Sequence, residues 1–371
     1  MGPLGYYNGR LFSDDGVVVE SARGLRNLGV RSALLAAVLF GASAPLAKLL
    51  LGEVSPWLLA GLLYIGAGVG MTAWRRVSRA PRVRLAGEQV PWLVGAVAVG
   101  GVVGPVLLMI GLAGMPASGA SLLLNAEGVL TAVIAWVVFR EQTDRRVVMG
   151  MLAIIAGAVV IAVPTGQAQV SSVWPALAIL GACLGWALDN NLTRKVSLID
   201  ATWLAMVKGT VAGSVNLILA LIIGATMPRV GTVGLALALG FAAYGLSLVL
   251  FIVGLQHLGT ARAGAYFSVA PFFGAVLAIA LGDTLTWQLV LAGTLMAIGT
   301  WLHLTERHGH WHTHAPPAHE HWHIHGDGHH DHDHVPGVEI PAGTRHRHSH
   351  SHAAVTHTHE HYPDVHHRHD H

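Results

Sequence analysis

The chain has 371 residues, 53% of them hydrophobic and 11% charged, with a mean hydropathy of +0.54 and a formal net charge of +2. Soluble domains carry roughly 25% charged residues, so the composition excludes an ordinary soluble domain, and the near-neutral balance gives no footing for a nucleic-acid partner. The one cysteine, Cys183, excludes a disulfide framework or a thiolate cluster.

In chain order, residues 1–31 are polar and charged and read as a cytoplasmic N-terminal segment without a cleavable leader. Apolar runs then recur near 32–51, 55–73, 90–112, 116–139, 147–163, 172–191, 201–224, 231–254, 260–281 and 286–304. Crossing a hydrocarbon core of roughly 30 Å takes about 20 apolar residues as a helix, because lipid offers no water to satisfy an open backbone. The sequence therefore predicts an all-α polytopic membrane protein with ten transmembrane helices, membrane lipid being its surroundings. The connections are too short for a soluble catalytic domain, so no enzyme is expected. No G-x-x-x-x-G-K-[ST] loop occurs, so ATP is not implied.

Basic residues mark alternate connections. Arg10, Arg23, Arg26 and Arg31 precede the first run; Arg75, Arg76, Arg79, Arg82 and Arg84 follow the second; Arg140, Arg145 and Arg146 follow the fourth. Arg194 and Lys195 follow the sixth and Arg262 the eighth, whereas the intervening connections hold only Arg229. The positive-inside rule then places both termini in the cytoplasm and the chain in the cytoplasmic (plasma) membrane.

The two halves, 32–163 and 172–304, echo each other. Gly111 and Leu112 before Met115, Ala117 and Ala120 match Gly254 and Leu255 before Leu258, Thr260 and Ala263. An acidic loop residue follows each, Glu141 and Asp283, and Gly150 and Gly293 fall early in the next run; Phe40, Gly41 and Ala42 are echoed more weakly by Leu184, Gly185 and Trp186. Five crossings per copy is odd, which inverts the second copy relative to the first. Many of the 45 glycines lie in the apolar runs, where small residues let helices approach, and Pro45, Pro105 and Pro271 lie inside runs where each removes a backbone bond.

These features resemble the EamA-type drug/metabolite transporters over about residues 32–304. The resemblance implies a ten-helix carrier of two inverted five-helix repeats, with cytoplasmic termini and a central cavity for a small-molecule substrate. It names no substrate, since such carriers move amino acids, nucleotide sugars, amphipathic cations and other solutes.

Intramembrane charge is costly, at least about 2.5 kcal/mol for a central ionisable group, and marks candidate sites. Glu127 lies at the centre of the fourth run with Asn125 two residues earlier. A carboxyl there can carry a proton, hold a cationic substrate group, or serve only as half of a buried pair. Lys48 and Lys208 are the candidate counter-charges; Lys48 is near a helix end and able to snorkel, Lys208 lies deeper. Asp189, with Asn190 and Asn191, either anchors the cytoplasmic end of the sixth run or joins the site. Asn216, Trp186, Tyr244, Tyr266 and Phe267 line a cavity or pack.

Residues 305–371 change character: all but His257 and His303 of the 25 histidines lie between His308 and His371. With few aliphatic residues and no helical period, this tail is expected to be disordered and cytoplasmic. His-x-His steps recur at His308, His310, His312 and His314, at His319, His321, His323 and His325, at His346, His348, His350 and His352, and at His357, His359 and His361. Imidazoles with occasional carboxylates suit the divalent ions Zn, Ni, Co or Cu(II). Such a tail is equally a polycation that charges on mild acidification. His319, Glu320 and His323 match H-E-x-x-H, a chance match in a stretch this rich in histidine. No cofactor is required. Three readings stand: a metabolite carrier with a metal-binding tail, a divalent transition-metal carrier, and a membrane-tethered metal buffer or sensor.

Overall fold

The computed structural model describes residues 5–7, 10–12, 27–83, 85–139, 145–163, 173–193, 200–258, 260–304, 309–314, 318–324, 345–351 and 355–360. The chain divides into two compact units, Met1–Glu306 and Arg307–His371.

The first unit carries a short antiparallel strand pair, β1 (Gly5–Tyr7) with β2 (Arg10–Phe12), followed by helices. These are α1 (Leu28–Gly41), α2 (Ser43–Leu50), α3 (Pro56–Val77), α4 (Val90–Ala96), α5 (Gly104–Gly114), α6 (Ala117–Leu123), α7 (Ala126–Phe139) and α8 (Arg145–Ala162). Then come α9 (Trp174–Thr193), α10 (Ala201–Ile222), α11 (Val230–Gly240), α12 (Ser247–Leu258), α13 (Thr260–Phe267), α14 (Ala270–Ala280) and α15 (Trp287–Leu304). Short π-helical turns, Val97–Val103 and Phe241–Leu246, join α4 to α5 and α11 to α12.

Among the described residues, eight helical stretches are long and apolar enough to cross a membrane: Leu28–Leu50, Pro56–Val77, Gly87–Gly114, Ala117–Val138, Arg145–Ala162, Ala201–Ile222, Val230–Leu255 and Ala263–Ala280. Outside that set, α9 and α15 are helices of 20 and 18 residues, about 30 and 27 Å long at 1.5 Å per residue.

Size is distributed inside out. Buried positions are dominated by alanine, among them Ala33, Ala36, Ala37, Ala60, Ala182 and Ala212, while Leu35, Val69, Leu152, Ile218, Leu235 and Val276 are exposed. An aqueous surface would not tolerate so many bare aliphatic side chains, and lipid does. The hydrophobic drive for helix association is absent in lipid, so close backbone packing takes its place. A Cβ on Gly66 would lie 2.2 Å from the Leu237 carbonyl oxygen, and one on Gly240 2.0 Å from that of Leu63, so α3 and α11 cross where neither side chain fits. Gly150 and Gly299 do the same for α8 and α15, at 2.8 and 2.6 Å from each other's carbonyl oxygens.

Three prolines mark the irregular places. Pro45 follows the break at Ala42 between α1 and α2, and Pro271 follows the break between α13 and α14. Pro105 stands just after the first π turn. Each lacks the N–H that an uninterrupted helix would donate.

At the junction of α3 and α10, Arg75 pairs with Asp200 at 2.9 Å and also donates to the Pro81 carbonyl at 2.7 Å. Asp200 caps α10 by accepting from the Thr202 and Trp203 amides at 2.8 and 3.1 Å. Burial pushes the Asp200 carboxyl up, but hydrogen bonds from Thr202, Trp203 and Arg75, with the Arg75 charge, outweigh it and hold the group below the usual carboxylate range. A carboxylate with a depressed folded-state pKa adds stability that is complete above its unfolded value, about 3.9, and is lost as pH falls through the lower folded value. Asp200 is 31% exposed, so the contribution is no more than about 1 kcal/mol. Melting curves from pH 7 to pH 3 should therefore show Asp200→Asn below wild type at neutral pH and converging with it at the acid end.

In the second unit, the backbone of four stretches is described: β3 (Gly309–His314) pairs antiparallel with β6 (Val355–Glu360), and β4 (Ala318–Ile324) with β5 (Arg345–Ser351). The sequence predicts no regular structure here. The His-x-His alternation has the period of two that strand pairing accepts, and the pairing sets His319, His321 and His323 opposite His350, His348 and His346.

Candidate functional site

The site is built where α3, α7, α9, α10 and the first π turn meet. Its backbone part follows from Pro105. A helical carbonyl bonds the N–H four residues on, or five in a π turn. For Gly101 the first of these donors is Pro105, and for Gly100 the second is Pro105, which has no N–H. Side chains fill the gap: Tyr64 Oη and Trp186 Nε1 donate to the Gly100 oxygen at 3.1 and 2.9 Å, and Asn216 Nδ2 donates to the Gly101 oxygen at 3.1 Å. Asn216 is fully buried, and its own Oδ1 has no partner within the protein.

Helix α9 presents two faces. Leu184 and Leu188 are exposed one turn apart on its outer side. Trp186, Asn190 and Thr193 lie opposite, on the inner side. Asn190 Nδ2 donates to Glu127 Oε1 on α7 at 3.0 Å and sits 3.5 Å from Thr131 Oγ1. Glu127 is half-buried.

Next to it, Lys208 Nζ on α10 pairs with Asp189 Oδ1 at 2.5 Å and donates to Thr193 Oγ1 at 2.9 Å; Thr193 in turn donates to Asp189 Oδ1 at 2.9 Å. Asp189 Oδ2 presses on Gly100, where a Cβ would lie 2.2 Å away. Gly100→Ala should therefore disturb the ion pair as well as the packing, at about 2–4 kcal/mol. Thermal unfolding of the purified protein should show the loss, with Gly234→Ala, which meets nothing within 4 Å, as the control that melts almost as wild type.

Aromatic rings lead on from Tyr64. Tyr64 lies within electrostatic reach of Tyr244, Asp189 and Glu127. From it a chain of rings runs through Tyr244 (5.8 Å between centroids), Phe40 (6.0 Å), Phe267 (5.4 Å) and Phe251 (4.8 Å). Each of the five is half-buried.

Of the residues expected from sequence, Glu127, Asp189 and Lys208 come together here. Asn125 does not join them: its Nδ2 donates to the Leu122 oxygen at 2.9 Å across the break between α6 and α7. Lys48 is also elsewhere, with Nζ on the last carbonyls of α5, Leu112 at 2.6 Å and Ala113 at 3.1 Å. There it complements the negative end of a helix rather than the Glu127 charge. Tyr266 is half-buried on α13. Asp283 accepts from the Ser118 amide at 2.8 Å, whereas its counterpart Glu141 lies outside the described residues. So do His308, His325, His352 and His361; for the other tail histidines expected to bind metal, which lie in β3, β4, β5 and β6, only the backbone is described. Sequence reasoning missed Tyr64, Thr131, Thr193 and the two glycine carbonyls. The spacing from Gly100 and Gly101 to Pro105 was the available signal for the carbonyls.

A separate groove of about 490 Å³ lies between α4 with its π turn and α10, lined by Leu93, Val97, Val102, Val207, Val211 and other aliphatic side chains. It offers no polar group and belongs to the lipid-facing surface.

Apolar-surfaced helices packed through small side chains around a local cluster of polar ones define a polytopic helical membrane protein. More particularly, the chain belongs to the EamA-like transporter family, whose model matches it twice, over residues 27–163 and 173–305. It is 27% identical over 304 residues to an uncharacterized transporter of Methanothermobacter thermautotrophicus, covering 76% of this chain and 88% of that protein. A solved crystal structure matches with a TM-score of 0.54 at 18% identity, covering 74% of this chain and 96% of its own, which is a likeness of fold. Both the family and this relative indicate a membrane transporter.

Proposed function

We propose that the protein is a secondary transporter that moves a small metabolite across the cytoplasmic membrane by alternating access. In this reading ten helices form two inverted repeats, both termini are cytoplasmic, Glu127 is the coupling or substrate-binding acid, and the histidine tail binds divalent metal. The pattern of packing supports the repeat. Counterpart helices meet each other, α3 with α10 and α8 with α15, and non-counterparts meet reciprocally, α1 with α12 and α9 with α5. A pseudo-two-fold axis generates such an exchange, and substrate sites of inverted-repeat carriers lie on it. The two π turns fall at matching places, which adds to the same argument.

The observation that carries the functional reading is Glu127: a half-buried intramembrane carboxyl, held by an amide and by no cation among the described residues. The tail favours a second reading, a divalent-metal carrier fed by its histidines. Against it, no group of three or more His, Cys, Asp or Glu side chains among the described residues is placed to hold a metal ion.

Metabolite flux and metal accumulation in cells should be compared for the full chain, a chain ending at Arg307, and Glu127→Gln. Truncation should leave metabolite flux intact and lower metal retention, and Glu127→Gln should abolish the flux. Metal flux that needs both Glu127 and the tail would replace the first reading with the second, and unchanged flux in Glu127→Gln would remove both.

A further inference from the structure

On the reading above that the histidine tail binds divalent metal, the backbone register of its strands narrows where. Ten of the eleven histidines in β3, β4, β5 and β6 stand directly opposite another histidine. In one ladder His310 is opposite His359 and His312 opposite His357; in the other His319, His321 and His323 are opposite His350, His348 and His346. His314, opposite Val355, is the exception. Partners directly across an antiparallel ladder share a face of the sheet, and so do residues two apart along a strand. The β4 and β5 pair therefore has six histidines on one face and none on the other. The two ladders also share one register: nine positions on from His310 and nine back from His359 lie His319 and His350, so β3 and β6 enclose β4 and β5 as a nested hairpin in sequence. Across a ladder the Cα atoms of opposed residues are about 4.5–5.5 Å apart, and the next histidine rung is about 7 Å along. Two adjacent rungs thus gather the four nitrogen ligands of a tetrahedral ion, where a single strand supplies two over the same length. A two-stranded ribbon is marginal by itself in water, and an ion that takes nitrogens from both strands ties them together.

We infer that the tail binds Zn(II), or a divalent ion of like chemistry, between strands and not along them. One site is formed by His310, His312, His357 and His359; a second is formed by two adjacent rungs of the β4 and β5 ladder, with the rung of His321 and His348 common to either choice.

Zinc titration of the purified full chain, against the chain ending at Arg307, should find two tight sites that the shorter chain lacks. Exchanging two neighbours in β5, His348→Ser with Ser349→His, keeps the number of histidines and moves the central one to the other face of the ladder. No slip of register restores it, because any slip that sets residue 349 opposite His319, His321 or His323 takes His346 and His350 off the histidine rungs. The exchange should weaken one site at least about 10-fold, since loss even of a group behind a metal ligand costs about 10- to 100-fold, and should leave the other site unchanged. Ser349→His alone, which keeps the central rung, should bind zinc as tightly as wild type. Spin labels at Ala318→Cys and Ser351→Cys, directly opposite at the end of the same ladder, should broaden each other's spectra at saturating zinc, as expected for backbones about 5 Å apart; Cys183 is buried and takes no label. An exchange variant that binds as wild type, an equal loss in Ser349→His alone, or labels that stay apart at saturating zinc overturns ligation between strands and leaves a tail that binds metal along single ones. A full chain that binds no more zinc than the chain ending at Arg307 removes the metal-binding reading itself.

Discussion

Glu127→Gln should give a protein that is at least as stable as wild type and transports at least about 100-fold more slowly. Gln keeps the volume of Glu and still accepts from Asn190, whose amide lies 3.0 Å from Glu127 Oε1. What it removes is a charge whose presence at bilayer depth costs at least about 2.5 kcal/mol in insertion. If the carboxyl were there for architecture, its loss would leave melting and flux to fall together. A site retained for function gives opposite signs, because functional groups are held against a stability cost. Thermal unfolding and flux measured on the same preparations decide between these. A variant that melts lower and transports at wild-type rate would assign Glu127 to packing.

Much of this arrangement was legible before any coordinates. Lipid leaves so few options for the backbone that long apolar runs read directly as helices, and positions such as Leu28–Leu50 and Ala201–Ile222 lie close to where hydropathy puts them. Glu127, Asp189 and Lys208 were legible for the same reason: charge is rare enough there to be noticed. Their pairing was not. Lys48 and Lys208 are both lysines in apolar runs, and only the third dimension sends one to the carbonyls of Leu112 and Ala113 and the other to Asp189. Asn125 is two residues from Glu127 and yet bonds Leu122, because the helix is broken between α6 and α7. The partners of the Gly100 and Gly101 carbonyls were hidden because they come from three different helices, although the loss that creates them is written in Pro105.

That loss also explains why the polar residues gather where they do. The missing N–H, together with the change from π to α register beside it, leaves two carbonyls free, which recruit Tyr64, Trp186 and Asn216, and these fix the faces of α3, α9 and α10 toward one another. Once α9 is so oriented, Asp189 faces Lys208 and Asn190 faces Glu127. A backbone defect in one helix thereby sets the geometry of side chains on four others. In lipid such gathering is compulsory, since each polar group left unpaired costs several kcal/mol.

The Asp189–Lys208 pair should accordingly behave as a brace whose halves cannot be removed singly. Asp189→Asn keeps an acceptor for the ammonium but removes its counter-charge, and Lys208→Met leaves a carboxylate beside Glu127, so each alone should lose about 3–5 kcal/mol. The double variant leaves no uncompensated charge and should recover most of that, since buried pairs are often replaceable by neutral side chains at little net cost. Coupling between the two sites should then exceed about 2 kcal/mol in a double-mutant cycle read from thermal or denaturant unfolding. Flux should follow the same pattern, low in both singles and restored in the double, because the pair holds α9 and α10 together. Additive losses in the cycle would show that the two side chains do not act as a unit. A double variant that is stable but still inactive would place Lys208 or Asp189 among the groups that touch the substrate.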